Sequence, residues 1–301
     1  MINVVIGKSA TDDKGKSVAT LVGQYFYLAL LELFYFVFSL YRFGGYIYHR
    51  LMIRWLTITY HQNRTPELIQ RDVANFTKIP RGIGAVLTLH DSGDEGGGVD
   101  GLLEQASDLA AWCIGTSIEF LVLYERTGVL KALPEPDVRR RISRKLEQYY
   151  GADNVPTFKI SFPYTAASYS DNSTLVHDDA SGPSVSSTEP SVNLTIRILS
   201  VEDGRQSIVD LTRSLATLAK EKKISARDIN VKTIDHEIKT LVSDEPDLVY
   251  VFGPVLDLDG FPPWQIRLSE IFYMRDNDEV SYAVFLKGLE KYSGVKINVG
   301  R

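Results

Sequence analysis

An acidic, glycine-rich run, HDSGDEGGG over residues 90–98, directly follows an apolar segment that is predicted to be a strand. Glycine leaves backbone N–H groups open to phosphate oxygens and carboxylates bind hard cations, so these residue types suit a phosphate cradle or a Mg²⁺ site. The run has three carboxylates but no Lys or Arg, and it would repel a diphosphate unless a metal were bound. Its spacing fits no Walker motif. The pattern favours a flexible acidic turn, with the ligand site as the alternative.

A second candidate loop lies between Phe252 and Trp264 and contains no Lys, Arg, His, Ser or Thr. It follows LVYVF at 248–252, which has the composition of a buried strand. In α/β proteins, loops at the carboxyl ends of strands usually carry the ligand-binding groups. A loop without cations is therefore poorly suited to a charged ligand. Beyond it a helix is predicted at 264–271, because prolines such as those at 262–263 are typical of a first helical turn.

The elements that would position these loops alternate along the chain from residue 79 onward. Strands are predicted at 83–89, 120–124, 158–162, 193–199 and 248–252, and helices at 102–115, 135–150, 205–222 and 231–242, with two more after the last strand. This alternation predicts an α/β fold with a mostly parallel sheet covered by helices. The stretch 164–191 is rich in Ser, Thr, Asp and Pro, so it is predicted to be a flexible insertion.

The N-terminal part of the sequence has the properties of a membrane anchor. After a tail at 1–16, residues 17–41 are mostly apolar and include no Lys or Arg; Gln24 and Glu32 are the strongly polar members. As a helix this stretch reaches roughly 37 Å, enough to cross a hydrocarbon core of about 30 Å. A charged Glu32 near mid-membrane would cost roughly 3 kcal/mol, so it is expected to be neutral or to face a partner.

Residues 42–78 form a membrane-proximal amphipathic and linker segment, and its first part, 42–62, combines an apolar stripe at helical spacing with Arg and His residues. This pattern predicts an amphipathic helix on a membrane surface; a helix packed on the soluble domain is the alternative. Positive charges flank the predicted span on both sides, so they do not determine its topology. The net charge of −5 argues against a nucleic-acid partner. A single cysteine, Cys113, excludes an internal disulfide and fits a reducing compartment.

Four motifs carry a resemblance to a known family: EPDL at 245–248, FGP at 252–254, LDGFPPWQIRLSEI at 258–271 and NVGR at 298–301. They resemble the non-catalytic subunits of eukaryotic, especially fungal, dehydrodolichyl diphosphate synthase. These subunits are similar to the Nogo-B receptor and belong to the cis-prenyltransferase family. The likeness extends over about 79–301. It implies a cis-prenyltransferase-like domain there, preceded by the transmembrane helix.

The resemblance also implies that catalytic groups are missing. Catalytic relatives end the first strand in Asp-Gly-Asn-x-Arg, whose Asp holds Mg²⁺, and residues 88–91 contain no such run. Relatives clamp a diphosphate with Arg-Thr-Gly-Gly-Glu, whereas 251–255 reads VFGPV here. Apolar residues cannot replace guanidinium groups in that role. Glu270 matches a second metal-binding carboxylate and is a candidate relic, with capping or salt-bridging as the alternative. The chain alone is expected to be inactive.

Two further sites follow from the resemblance. Gly204-Arg205 matches a Gly-Arg near the catalytic site, which makes Arg205 a candidate substrate-binding residue; a salt bridge at a helix start is the alternative. In the resembling subunits, the C-terminal tail enters the catalytic partner's site and its backbone amides contact the substrate diphosphate. Asn298, Gly300 and Arg301 match that tail: glycine permits close approach and Asn can fix a turn. A frayed terminus without a role is the alternative.

The resemblance implies a required, non-catalytic subunit of a heteromeric cis-prenyltransferase that elongates farnesyl diphosphate with isopentenyl diphosphate for dolichol synthesis and protein glycosylation. Mg²⁺ would be held mainly by the catalytic partner. The domain would lie on the cytosolic side of the endoplasmic reticulum membrane, so the Asn-x-Ser/Thr triplets would stay unmodified. Helices at 209–222 and 264–274 are the expected subunit contacts. Two alternatives stay open: a membrane receptor or scaffold, and an independent prenyltransferase, which the missing motifs disfavour.

Overall fold

The computed structural model describes residues 18–60, 65–93, 96–163, 192–225, 227–275, 277 and 280–295. The chain divides into two units, Met1–Leu51 and Met52–Arg301. Helix α1 (Val18–Tyr60) supplies the described part of the first unit. The predicted tail at 1–16 and the predicted insertion at 164–191 lie outside the described residues, so both stay predictions.

The second unit is built around a six-stranded sheet in which every pairing is parallel. Its strands are β1 (Gly82–Leu87), β2 (Phe120–Glu125), β3 (Phe158–Ser161), β4 (Leu194–Leu199), β5 (Leu248–Val251) and β6 (Glu270–Tyr273). Their order is β3-β4-β2-β1-β5-β6. β1, β2 and β5 are buried along their whole length because helices cover both faces of the sheet. The predicted fold class is confirmed, and the five predicted strands end within two residues of the observed ones.

Seven further helices belong to the second unit. They are α2 (Pro66–Val73), α3 (Gly98–Gly115), α4 (Val129–Ala132), α5 (Glu135–Tyr150), α6 (Arg205–Lys220), α7 (Val231–Leu241) and α8 (Tyr282–Gly294). One apolar cluster joins α2, α3, α5 and α8 to one face of the sheet. The other cluster joins α6, α7 and the ring of Phe261 to the opposite face. The four helices predicted between 102 and 242 are confirmed.

The helix predicted at 264–271 is wrong, and so is the expectation of an interface helix at 264–274. Residues 263–268 form turns, and Glu270–Tyr273 is the edge strand β6, paired with β5. Ion pairs from Arg267 to Asp235 and Glu245, each 2.5 Å, hold the turns. The β-branched and aromatic residues of β6 favour a strand, and their pairing satisfies backbone groups that β5 would otherwise leave open. Two helices were predicted after the strand at 248–252, and among the described residues there is one, α8.

Helix α1 runs without a break through the predicted span at 17–41 and into the predicted membrane-proximal segment. Within it, the 28 residues Tyr25–Met52 contain an 18-residue window with a mean hydropathy of 1.5, so this stretch is long and apolar enough to cross a membrane. The large apolar side chains described between Tyr25 and Leu51 are all exposed. Because exposed apolar surface of this extent is unfavourable in water, it is the composition expected of a helix that contacts lipid.

Candidate functional site

The carboxyl ends of the parallel strands meet at one edge of the sheet, which we call the carboxyl edge; the opposite edge is the amino edge. At the carboxyl edge, β1 leads into the glycine-rich loop, β2 into 126–128, β4 into 200–204 and β5 into the cation-free loop. In open α/β sheets, ligands bind at this edge. The loops after β2, β4 and β5 are joined by the contacts described below.

Glu125, the last residue of β2, is buried and has partners for both carboxylate oxygens. Its Oε1 accepts hydrogen bonds from the Thr127 backbone N–H (2.7 Å) and hydroxyl (2.6 Å). Its Oε2 accepts from the Val129 N–H at 3.0 Å. Because a buried carboxylate needs such donors, Glu125 fixes the turn and the start of α4. It is not free to bind a ligand.

Lys131 of α4 and Asp203 form a second buried contact, between the β2 and β4 loops. The Lys131 ammonium lies 2.7 and 2.9 Å from the two carboxylate oxygens, and the side chains are only 12% and 5% exposed. Asp203 also accepts a 2.8 Å hydrogen bond from the Ser200 N–H, which closes a short 3₁₀ turn. This pair therefore fixes the backbone directly before Gly204-Arg205.

The cation-free loop packs against both neighbouring loops through Asp259 and Gly260. The Tyr124 hydroxyl donates a 2.7 Å hydrogen bond to the Asp259 carbonyl, and Arg126 pairs with the Asp259 carboxylate. A Cβ atom on Gly204 would stand 2.9 Å from the Gly260 carbonyl oxygen, so this approach requires glycine. Burial, together with the nearby Asp259, raises the pKa of Tyr124 to about 12. The cation-free loop is therefore bound to groups of the protein itself, through Asp259 and Gly260.

Arg205 begins α6 at the same edge and is exposed. It makes no ion pair with any described residue, so its predicted alternative role as a salt-bridge donor finds no support in this part of the chain. Its role in substrate binding stays a prediction. The side chain is available to a group outside the described structure.

The glycine-rich loop is described except for residues 94 and 95. The Gly98 N–H donates to the His90 carbonyl at 3.1 Å and closes the loop, while Thr88 lies beside Phe252 of the neighbouring loop. Among the described residues, no three His, Cys, Asp or Glu side chains are grouped in a way that could hold a metal.

Glu270 lies far from the glycine-rich loop, because it belongs to the amino edge. It pairs with Leu248, which pairs in turn with Ile83, near the start of β1. From Ile83 to the end of β1 at Leu87 the strand rises about 13 Å. The candidate relic and Asp91 are therefore not brought together. Two separated carboxylates do not make a Mg²⁺ site, which needs several oxygen ligands around one point, so the described residues do not fit this metal.

The C-terminal helix ends at the amino edge as well. The Thr77 hydroxyl donates a 2.6 Å hydrogen bond to the Ser293 carbonyl, and the Lys78 ammonium donates to the Val295 carbonyl. Lys78 also lies 4.4 Å from the centre of the Tyr292 ring. These contacts fix the point from which the tail departs. Asn298, Gly300 and Arg301 lie outside the described residues, so their role stays a prediction.

The sequence predictions missed the residues that close the carboxyl edge: Tyr124, Lys131, Asp203 and Asp259. One local signal was present, the Asp-x-Asp-Gly run at 257–260, whose composition is typical of a tight turn. The partners, however, are 72 to 135 residues apart in sequence. Nothing in a local pattern indicates such pairs.

Comparison with known proteins agrees with this architecture. The structure is similar to lavandulyl diphosphate synthase from Lavandula x intermedia, solved in complex with dimethylallyl diphosphate, with a TM-score of 0.51 and 16% identity over 74% of this chain and 99% of that chain. The six-stranded parallel sheet with its covering helices is thus the cis-prenyltransferase fold. No protein-family model matches the chain.

Sequence relatives define the family more closely. Dehydrodolichyl diphosphate synthase complex subunit NUS1 of Saccharomyces cerevisiae is 38% identical over 98% of this chain and 79% of that protein. The corresponding subunit of Schizosaccharomyces pombe is 34% identical over 92% of this chain and 98% of its own length, and the Homo sapiens subunit is 24% identical over 76% of this chain. The chain belongs to this family of dehydrodolichyl diphosphate synthase complex subunits.

Proposed function

We propose that this chain is the required but non-catalytic subunit of a heteromeric cis-prenyltransferase. In this proposal the catalytic partner elongates farnesyl diphosphate with isopentenyl diphosphate, and the product serves dolichol synthesis and protein glycosylation. Helix α1 anchors the chain in the endoplasmic reticulum membrane, and the cis-prenyltransferase-like domain lies in the cytosol. The chain contributes half of a subunit interface and a C-terminal tail to the active complex.

The observation that carries the proposal is the occupied carboxyl edge. Arg126 and Lys131, two cations of the β2 side of this edge, are each paired with a carboxylate of the same chain. A diphosphate would have to displace those carboxylates. Breaking the Lys131–Asp203 pair is costly because it is buried, whereas the Arg126 side chain of the other pair is exposed. The residues that line this edge therefore support binding of neighbouring protein segments, and they do not support condensation of prenyl diphosphates by this chain alone.

Magnesium, in this proposal, belongs to the partner. The described donor groups of this chain do not converge, since Glu270 is at the amino edge and Asp91 is at the carboxyl edge. Mg²⁺ supplies charge neutralisation for diphosphate groups in reactions of this type. The chain's own residues take no part in that step.

The end of α8 is held at the amino edge of the sheet. Thr77 and Lys78 donate hydrogen bonds there to the carbonyls of Ser293 and Val295, next to the last described residue before the tail. The carboxyl ends of the strands lie at the opposite edge. This position is compatible with a tail that acts in a neighbouring subunit.

The proposal is tested by measuring isopentenyl incorporation with the chain alone, with the catalytic partner, and with the partner plus a chain lacking Asn298–Arg301. Activity is expected only in the intact pair. Activity of the chain alone would contradict the interpretation of its carboxyl edge. Equal activity with and without the tail would refute the tail assignment and leave the chain only a membrane-anchoring or scaffold role in the complex.

A finer test replaces Gly300 by Ala, which blocks close backbone approach to a phosphate group. Displacement of a contacting group by about 1 Å lowers turnover on the order of 100-fold. Gly294→Ala is the matched control, because a Cβ there meets nothing within 4 Å. Co-purification of both variants with the partner establishes that assembly is intact. Normal turnover by Gly300→Ala would refute the tail assignment while leaving the subunit role in place.

A further inference from the structure

Helix α1 carries polar side chains on one face of its apolar stretch. Glu32, Tyr35, Ser39, Arg42 and Tyr46 follow one another in steps of three, four, three and four residues. With 3.6 residues per turn, these five positions lie within a sector of about 80° around the helix. We call this face the polar seam. The opposite side of the same stretch is mainly apolar; it includes Phe26, Leu30, Leu33, Val37 and Leu40, with Tyr41 as its polar member.

The five side chains of the polar seam are exposed, and Glu32 has no hydrogen-bond or ion-pair partner among the described residues. The stretch around it is the one long and apolar enough to cross a membrane. In hydrocarbon, a carboxyl group without a partner is costly, so intramembrane acidic residues almost always face another protein group.

The spacing of the polar seam indicates what kind of group that is. Alternating steps of three and four residues are the repeat of two helices that pack side by side at a shallow crossing angle. In membranes, small and polar residues mediate such contacts, because lipid chains are as apolar as leucine and give no hydrophobic driving force. A one-sided polar seam at this repeat therefore fits a second membrane-spanning helix.

We propose that the polar seam is the contact between the α1 helices of two copies of this chain, inserted in parallel. Parallel insertion brings equal depths together. The Glu32 carboxyl of one copy then faces the Tyr35 hydroxyl of the other copy. Tyr35 is three residues after Glu32, so the two positions differ by about 4.5 Å along the helix axis. Twofold symmetry forms this pair twice, so the seam contains both the acceptor and the donor that it needs.

The remaining positions are compatible with this pairing. Ser39 is small and permits close approach of the two backbones. Arg42 lies toward the end of the apolar stretch, and its long side chain can extend to the interface, so two like charges are not buried together. Tyr46 accepts a hydrogen bond from Arg50 of its own helix. The inference rests on the proposed membrane insertion of α1 and is independent of the proposed role of the tail.

Cysteine cross-linking of the full chain in membranes tests the pairing. Ser39→Cys and Tyr46→Cys lie on the seam, whereas Leu40→Cys and Leu33→Cys lie on the opposite side. The parent chain is the control, since its single cysteine, Cys113, is buried. After oxidation, the seam variants are expected to form a product of twice the 33.8 kDa chain mass, and the other two are not.

Each other outcome contradicts the proposal in a different way. Cross-linking without the three-four periodicity, or none, would exclude the seam as a contact. A product of another mass would identify a different membrane protein as the occupant. Release of the chain by alkaline carbonate would show that α1 is not inserted, which would also refute the proposed anchor while leaving the isopentenyl incorporation assay unaffected.

The role of Glu32 is tested in the Ser39→Cys background. Glu32→Leu removes both symmetry-related hydrogen bonds and is expected to lower cross-linking about tenfold to a hundredfold, since each bond between membrane helices contributes about threefold to tenfold. Exchanging Glu32 and Leu33 (Glu32→Leu with Leu33→Glu) keeps the composition of the helix but moves the carboxyl group off the seam, and it should lower cross-linking equally. Glu32→Gln keeps a hydrogen-bonding group and should retain most of it. Unchanged cross-linking in all three variants would overturn the proposed contact at Glu32.

Discussion

The two edges of the sheet use charged residues in opposite ways. At the carboxyl edge, Lys131 and Asp203 are paired in a site almost closed to solvent, and both oxygens of Glu125 accept backbone hydrogen bonds. At the amino edge, Arg81 and Glu119 form an ion pair whose side chains are 69% and 63% exposed. The Lys131–Asp203 pair joins loops that follow different strands, and Glu125 fixes the turn of its own loop. The Arg81–Glu119 pair is a solvated surface pair.

This difference shows that the loops at the carboxyl edge can be joined by internal contacts while the architecture of the sheet is kept. Closing the carboxyl edge requires only a few internal partners, because the loops already lie side by side there. The amino edge holds the end of α8, from which the tail departs. In the proposed complex, the carboxyl edge of this chain, where open α/β sheets usually bind ligands, has a structural role. The C-terminal tail starts from the amino edge.

The largest expected effect is on the buried pair at the carboxyl edge. Asp203→Ala leaves the Lys131 ammonium buried without a partner and should lower the free energy of unfolding by about 3–5 kcal/mol. Denaturant unfolding of the purified full chain measures this loss. The double variant Lys131→Met with Asp203→Ala should recover part of the stability, since it removes the unpaired charge. A loss below about 1 kcal/mol in Asp203→Ala would show that the pair is effectively solvated.

Gly260→Ala should give the next largest loss. Gly260 has φ +88, and a Cβ atom would stand 3.1 Å from the Tyr124 hydroxyl and 3.2 Å from Val201. Backbone strain and crowding together should cost about 1–3 kcal/mol. Gly151→Ala is the matched control, because Gly151 has φ +82 with nothing within 4 Å. Thermal unfolding of both variants separates the two contributions, and equal losses would mean that the loop contact is unimportant.

Tyr124→Phe should cost about 1 kcal/mol, since it removes the hydrogen bond to the Asp259 carbonyl. It should also change the dependence of stability on alkaline pH. The pKa of Tyr124 is raised from 10.0 to about 12 in the folded protein, so its contribution is complete below pH 10 and is lost as the pH rises toward 12. Unfolding at pH 9 and pH 11 measures this difference. A variant that loses as much stability as the parent between these pH values would contradict the raised pKa.

The smallest effect is expected at the amino edge. Arg81→Ala removes an exposed ion pair and should change the free energy of unfolding by at most about 1 kcal/mol, and by less at high salt. Denaturant unfolding at low and high salt measures both. If this substitution proved as costly as Asp203→Ala, the contrast between the two edges would not hold.

The sequence predicted the parallel sheet because most of its strands are short, continuous apolar runs bounded by turn residues. Such runs, for example at 248–252, indicate a buried strand without reference to the rest of the chain. The helix predicted at 264–271 rested on the two prolines at 262–263, and it was wrong because this segment leads into the edge strand β6. Its pairing with β5, which local propensity does not include, decides its structure.

The side-chain contacts at the carboxyl edge were beyond prediction for a related reason. Lys131 and Asp203 are 72 residues apart, and Tyr124 and Asp259 are 135 apart. Each is unremarkable in its own segment, and their relation arises only when the strands are placed side by side. The candidate residues of the tail stay a prediction from family likeness, whereas Arg205 is at the predicted edge with its side chain exposed.

The hydrogen bond between Thr77 and Ser293 has a consequence for the connectivity of the domain. The approach to β1 and the end of α8 lie at neighbouring points, and close ends are the condition under which circular permutation is tolerated. A linker from 295 to 65, long enough to keep α2 and its buried Ile69 in the domain, with new ends opened in the exposed turn at 221–223, should leave every strand in place. Such a permutant would have no free end at the amino edge. It would separate, in one molecule, the contribution of the folded surface from that of the chain terminus.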